Sequence, residues 1–310
     1  MTQRPLVAVV GATATGKSDV ALAIAEALDG EVVGADAYQL YRGLDIGTAK
    51  VDAATRARAP HHLIDVASAD DPWTLARYLE AATSVLEDVW RRGRLPVLAG
   101  GSGQYVTALL EGWQPPRVPP DEALRAELDA LAASEGAAAV HARLAALDPV
   151  GAASLDPQNV RRVSRALEVV TRLGRPLAAC VTRAPIDADV LLLGLHSPRD
   201  ALYERLDART DAMYAAGFIE EVQRLRDAGL GDTSPVRGGV GYKEASLCLD
   251  GVIDLDEAVR RHKNANHRLV RRQGAWFKQD DPRIRWLASG PDAPSEAVDA
   301  VSAWLRDHEA

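Results

Sequence analysis

The stretch GATATGKS, Gly11–Ser18, has the spacing G-x-x-x-x-G-K-S. It follows the apolar run LVAVV (Leu6–Val10) and precedes a segment, Ser18–Leu28, with Val20, Leu22, Ile24 and Leu28 at helical spacing. A strand before and a helix after is the setting in which this spacing makes an anion-binding loop. Gly11 and Gly16 let the backbone bend so that the amides of Ala12, Thr13, Ala14 and Thr15 point inward, and the following helix adds the positive end of its dipole. Lys17 is placed to reach two bridged phosphates and Ser18 to ligate Mg2+. The expected ligand is a polyphosphate, and pyrophosphate fits as well as ATP.

A second informative stretch is GADAYQLYRGLDIGTAK, Gly34–Lys50. Asp36 falls at the carboxyl end of the second expected strand, the edge that faces the ligand crevice in open α/β sheets. Its carboxylate suits a general base or an indirect Mg2+ ligand; the alternative is a helix N-cap. Gln39 and Tyr41 are suited to pairing with or stacking on a base. GGSGQY, Gly100–Tyr105, ends a third strand without the acid that many P-loop ATPases carry at that point. That argues against ATP hydrolysis and leaves Asp36 as the main acid near the phosphates. Ser102 either touches a substrate or belongs to a plain turn. Arg205 and Arg209, four residues apart, share a helix face. They close over phosphate oxygens, or pair with Glu204 and Asp207 at the surface. The glycine turn VRGGVGYKEA (Val236–Ala245) carries Arg237 and Lys243 and reads as a polyanion contact. His61 and His62 read as loop packing.

The elements that must hold these groups alternate. Strands are expected at Leu6–Val10, Glu31–Gly34, His61–Val66, the LPVLA run beginning at Leu95, and Val190–Leu195, with a helix at about Thr74–Arg92. This pattern predicts an α/β fold, a P-loop NTPase-like parallel sheet. It is interrupted at GWQPPRVPPDEA, Gly112–Ala123, where four prolines in six residues mark a linker. Helices are expected at Glu122–Glu135, Ala137–Leu147 and Val160–Leu173. The economical division is a P-loop core domain over 1–116 and 189–310 and a helical insertion domain over 117–188. Ser197–Leu225 reads as one long helix bent near Gly217.

Composition narrows the class. The 310 residues carry a formal charge of −8, which alone argues mildly against nucleic acid. Local fields matter more than totals. Arg260–Lys278 (RRHKNANHRLVRRQGAWFK) holds seven Lys or Arg and no acid, and Asn159–Arg175 is a second basic region with one Glu. Together they suggest a track for RNA or another large polyanion; solvated helix faces are the alternative. No apolar run of about 18 residues is present. A strand expected within six residues of Met1 leaves no room for a signal peptide, and Cys180 and Cys248 have no metal-cluster spacing. A cytoplasmic protein without a membrane segment is expected.

GATATGKS, DAYQLYRGLDIGTAK, PHHLID, GGSGQYV, RRVSRALEV, GYKE and RRQGAWFK occur in an order that resembles the tRNA dimethylallyltransferases (tRNA isopentenyltransferases). The likeness runs from about residue 7 to 287. The resemblance implies transfer of a dimethylallyl group from dimethylallyl diphosphate to the exocyclic N6 amine of the adenosine 3′ to the anticodon in a subset of tRNAs, releasing pyrophosphate. It implies that Gly11, Ala12, Thr13, Ala14, Thr15, Gly16, Lys17 and Ser18 hold the diphosphate with Mg2+ at Ser18, and that Asp36 is catalytic. It further implies tRNA contacts by Asp36, Ala37, Tyr38 and Gln39, by Ser102 and Arg125, and by Arg161, Arg162, Val163, Ser164 and Arg165. The same holds for Gly238, Gly239, Val240, Gly241, Tyr242 and Lys243, and for Arg271, Arg272, Gln273, Trp276 and Lys278. Ala37 stands where many members have Ser, Ser102 where Thr is common, and Gly238 where some have Arg. Without the zinc-finger pattern of longer eukaryotic members, a bacterial-type enzyme, acting as a monomer, is expected.

Overall fold

The computed structural model describes residues 4–180, 182–230 and 235–309. In chain order, the first elements are β1 (Pro5–Gly11), α1 (Lys17–Ala27), β2 (Gly30–Gly34), α2 (Ala53–Arg56), β3 (His61–His62), α3 (Leu75–Arg91), β4 (Leu95–Ala99) and α4 (Gly103–Leu110). Then come β5 (Trp113–Gln114), α5 (Glu122–Glu135), α6 (Ala137–Leu147), α7 (Pro149–Ala153), α8 (Val160–Leu173), α9 (Leu177–Cys180) and β6 (Thr182–Arg183). The chain continues with β7 (Asp189–His196), α10 (Arg199–Ala215), α11 (Phe218–Asp227), a 3₁₀ turn (Pro235–Gly238), α12 (Tyr242–Leu249), α13 (Leu255–Trp276), β8 (Ile284–Ala288) and α14 (Ala293–Glu309). Residues 1–3, which the sequence reading assigned to the core, lie outside the described residues.

Two compact units result, one of residues 1–110 and 187–310, the other Glu111–Ile186. The larger unit holds a six-stranded sheet in the order β3-β2-β4-β1-β7-β8, every pair parallel. Both faces of such a sheet are covered, so its strands read as apolar runs rather than alternating ones. Leu6, Val7, Ala8 and Val9 are fully buried, and Val7, Val9, Ile24, Leu193 and Leu195 pack with Ala297 and Val301 of α14. Truncating one of these large side chains to Ala costs about 2–5 kcal/mol. On α3, Tyr78, Leu79, Ala82, Leu86 and Val89 form the buried stripe, and Thr74 caps the helix by accepting from the Arg77 amide.

The smaller unit has its own core: Leu128, Val140, Leu144, Val163 and Leu167 are buried against one another. The proline-rich linker is drawn into this unit because Trp113 and Gln114 pair antiparallel with Arg183 and Thr182. Three other expectations change. The long helix is two, because Gly217 adopts φ 96° and begins α11. The extended run at His61 lasts two residues. The segment after Lys278, where no strand or helix was expected, adds strand β8 and helix α14 to the larger unit.

Candidate active site

The loop between β1 and α1 has left-handed or related backbone at Gly11 (φ 138°), Ala14 (φ 63°) and Gly16 (φ 88°). A side chain at Gly11 would place Cβ 2.5 Å from the Leu195 carbonyl oxygen, so β7 can run beside the loop only if Gly11 is glycine. Thr15 Oγ1 and Lys17 Nζ both donate to the Ala12 carbonyl, at 2.8 and 2.6 Å. The loop opens on a cavity of about 570 Å³, whose walls include Thr13, Lys17, Ser18, Asp36, Gln39, Thr48, Arg205, Arg209 and Gln273. The sequence reading left Arg205 and Arg209 between two roles, and the structure turns both toward this cavity. Arg209 donates to Thr13 Oγ1 at 2.8 Å, Arg205 to Ser197 Oγ at 2.7 Å, and Asp207 pairs instead with His267.

The charges here are unbalanced. Burial pushes the Lys17 ammonium down from 10.5 to about 8, against the pull of Asp36 and with the push of Arg209. Burial lowers the Arg209 guanidinium as well, and Asp36 opposes this. Neither cation has a carboxylate at ion-pair distance among the described residues. Enclosed cations without an anionic partner are costly, and a bound polyanion relieves that cost.

Asp36 follows β2 and does not cap a helix. Its Oδ1 accepts from the amides of Tyr38 (2.8 Å) and Gln39 (3.2 Å), shaping a tight turn. Among the described residues, nothing donates to Oδ2. Ser102 reaches the same turn: its Oγ accepts from the Ala37 amide at 3.0 Å and its amide donates to the Ala35 carbonyl. Gln39 Nε2 donates to the Thr48 carbonyl at 3.1 Å. Tyr41 is buried and its hydroxyl accepts from the Trp73 amide, so its ring is not available to stack on a base. His61 and His62 bond to the Ala59 carbonyl and the Glu31 carboxylate, as loop packing requires.

The residues expected to meet tRNA divide by exposure. Arg161, Arg162, Gly238, Lys243, Arg271, Arg272, Trp276 and Lys278 are exposed. Val163, Ser164, Tyr242 and Gln273 are buried, Gln273 as a wall of the cavity; the glycines Gly239 and Gly241 are buried too. Helical periodicity explains Val163 and Ser164, which turn into the smaller unit's core while Arg161 and Arg162 turn out. Gln273 accepts from the Thr13 amide (2.8 Å) and donates to the Gly101 carbonyl (3.0 Å), so it ties the phosphate loop to the turn after β4. Arg125 and Arg165 share one buried carboxylate, Glu168, at 2.6 and 2.9 Å. The basic run on α13 is partly neutralised: Arg260 and Arg261 pair with Glu257, and Lys263 pairs with Asp211. Its exposed remainder is Arg268, Arg271 and Arg272.

Sequence reasoning missed Glu168 and Glu221. A lone Glu in a helix reads as solvated, and only the partners across the fold reveal otherwise. The Arg-x-x-Glu spacing of Arg165 and Glu168 is the one local signal that was available.

An all-parallel α/β core with a glycine-rich loop at its carboxyl edge, and no acid at the end of β4, defines an α/β protein with that loop and Asp36 on one cavity. The family can be stated directly. The model of the IPP transferase family matches residues 39–280, and the chain belongs to that family. A tRNA dimethylallyltransferase of Roseiflexus sp. strain RS-1 is 44% identical over 301 residues, 97% of this chain and 99% of that protein. The crystal structure of a full-length tRNA isopentenylpyrophosphate transferase from Bacillus halodurans is similar with a TM-score of 0.73 and 36% identity, over 98% of both chains. A eukaryotic dimethylallyltransferase, captured acting on tRNA, shares the fold with a TM-score of 0.81 at 23% identity, over 98% of this chain and 80% of that one. Among the described residues, no helix is long and apolar enough to cross a membrane.

Proposed function

We propose that this protein transfers a dimethylallyl group from dimethylallyl diphosphate to the exocyclic N6 amine of the adenosine 3′ to the anticodon in a subset of tRNAs, releasing pyrophosphate. Family membership supports the reaction class. The observation that carries the assignment of residues is one cavity lined by two enclosed cations, Lys17 and Arg209, and by two carboxylates, of which Asp36 follows β2 and Asp19 lies in the first turn of α1.

An allylic diphosphate ionises readily once its leaving group is stabilised. The loop amides, Lys17 and Arg209 face the oxygens on which negative charge grows as the C1–O bond breaks. The adenine amine attacks C1, and the proton it loses passes to Asp36, whose Oδ2 is free to take it. Oδ1 stays committed to the turn, which fixes the direction of Oδ2. The target base must leave its stack to reach such a site. Exposed Arg161, Arg162, Arg271, Arg272, Lys243 and Lys278 supply phosphate contacts that position tRNA without reading its sequence.

Among the described residues, no group of His, Cys, Asp and Glu could hold a metal ion unaided. The candidate ligands lining the cavity are oxygens, among them those of Ser18, Asp19 and Asp36. That set suits Mg2+, which keeps several waters and shares its coordination with substrate phosphates. Ser18 would hold it, and it would supply further charge neutralisation on the diphosphate.

Incubation with radiolabelled dimethylallyl diphosphate, Mg2+ and unmodified tRNA, AMP or ATP tests the proposal. Label is expected in tRNA at a single adenosine. Label in AMP alone, or hydrolysis of ATP in step with turnover, would replace it with a free-nucleotide transferase or a kinase.

A further inference from the structure

Glu221, on α11, is 1% exposed and is bonded on both oxygens. Oε2 accepts from the amides of Asp45 (3.0 Å) and Ile46 (2.7 Å), and Oε1 from the Gly47 amide (3.2 Å) and the Tyr242 hydroxyl (2.8 Å). Successive amides converging on one carboxylate form an anion nest, here filled from within the protein. Burial and the adjoining Glu221 carboxylate push the Tyr242 phenol upward, so its hydroxyl remains a donor. A Cβ at Gly47 would fall 2.4 Å from the Phe218 ring, so the loop is packed as well as bonded.

The clamped loop is a wall of the active-site cavity. Its next residues, Thr48 and Ala49, line that cavity, and their carbonyls accept from Gln39 Nε2 at 3.1 and 3.4 Å. Gln39 in turn donates its amide to Asp36 Oδ1. A continuous series of bonds therefore runs from Glu221 through residues 45–49 and Gln39 to the carboxylate assigned to proton transfer. We infer that Glu221 is a positioning residue for the transfer reaction, holding the 45–49 loop so that Gln39 and Asp36 keep their geometry toward the acceptor amine. It touches neither substrate. The inference rests on the proposed function, since it gives Asp36 a proton to accept.

The test uses the full chain and Glu221→Gln, which replaces an acceptor oxygen with an amide group facing N–H donors. With tRNA and dimethylallyl diphosphate saturating, the single-turnover rate is expected to fall about 10–100-fold, the cost of a small misplacement at a reacting centre, while pyrophosphate and tRNA dissociation constants change by less than about twofold. Gln39→Ala should lower the rate comparably, and the double variant should lose little more, because both act through one series of bonds. An unchanged rate overturns the inference. So do additive losses in the double variant, or a rate loss matched by an equal loss of pyrophosphate affinity, which would make Glu221 a general support of the fold. If Glu221→Gln does not melt cooperatively, Tyr242→Phe, which removes one of the four donors, is cycled against Gln39→Ala, with a smaller non-additive loss expected and additivity again overturning it. Absence of any transfer by the unaltered protein would sink the proposed function; transfer with indifferent variants sinks this inference alone.

Discussion

Arg209 and Thr13, 196 residues apart in sequence, are joined by a 2.8 Å hydrogen bond from guanidinium to hydroxyl. A cation from helix α10 is thereby fixed on the phosphate loop before any ligand arrives. Preorganised charge of this kind is worth most where negative charge develops. Arg209→Ala should lower kcat for dimethylallyl transfer about 10²–10³-fold, the usual effect of removing one such donor. tRNA affinity, measured by filter binding, should hold. Normal kcat in the variant would reduce Arg209 to a packing role.

Lys17 makes the site sensitive to pH. Its ammonium titrates near 8 in the free protein, below its ordinary 10.5, chiefly through burial. The sign follows from proton counts. Between about 8 and 10.5 the unfolded chain holds a proton that the fold has released, so this group makes the ligand-free protein more stable as pH rises through that window. A bound diphosphate favours the charged amine and reverses the trend. Pyrophosphate affinity, followed by calorimetry, should decline as pH rises past about 8, with proton uptake on binding. Lys17→Ala should bind more weakly and lose that pH dependence. A flat profile in the unaltered protein would place the Lys17 titration elsewhere.

Asp36 offers a separation of shape from proton affinity. Asp36→Asn can keep an oxygen acceptor for the Tyr38 and Gln39 amides but cannot take a proton at neutral pH. Single-turnover transfer should slow about 10²–10⁴-fold, with a much smaller change in tRNA affinity. Near-normal transfer with collapsed tRNA binding would mean that Asp36 recognises the base and that the proton leaves to water or pyrophosphate.

On α13, pairing decides which arginines matter for RNA. Arg271→Ala with Arg272→Ala should weaken tRNA binding and make its salt dependence shallower by about 1–2 units of slope, the share of roughly two lost phosphate contacts. Arg260→Ala with Arg261→Ala should do less, because Glu257, with which both pair, already offsets one of their two charges. Equal effects from both pairs would show that the whole helix face acts as one diffuse field.

The phosphate loop was legible because its glycines, lysine and serine are local requirements. The strands around it were legible because buried parallel strands are continuous apolar runs. The boundary of the smaller unit was less so, since two-residue strands carry no periodicity and β5 leads directly into the prolines. Helix α4 was hidden behind GGSG, where glycines read as turn although Gly103 begins a helix. At Gly103 a side chain would meet Trp276, a contact that no local pattern reports. Glu221 was illegible for the same reason: it sits on a helix with polar neighbours, and the amides it accepts from lie over 170 residues away. The resemblance marked where tRNA contacts are expected, and burial then separated exposed Arg161 and Arg162 from the inward-facing Val163 and Ser164.

The β5–β6 pair has a consequence for how such a chain can be assembled. Trp113 lies opposite Arg183, so the strand that opens the Glu111–Ile186 unit and the strand that closes it run side by side, about 5 Å apart. A module whose two ends are neighbours can stand in for a surface turn, because joining adjacent points demands little of the host's loop entropy. None of the six strands of the larger sheet comes from within it. The Glu111–Ile186 unit is therefore graftable: it could be acquired, lengthened or exchanged while the sheet and its glycine-rich loop keep their order.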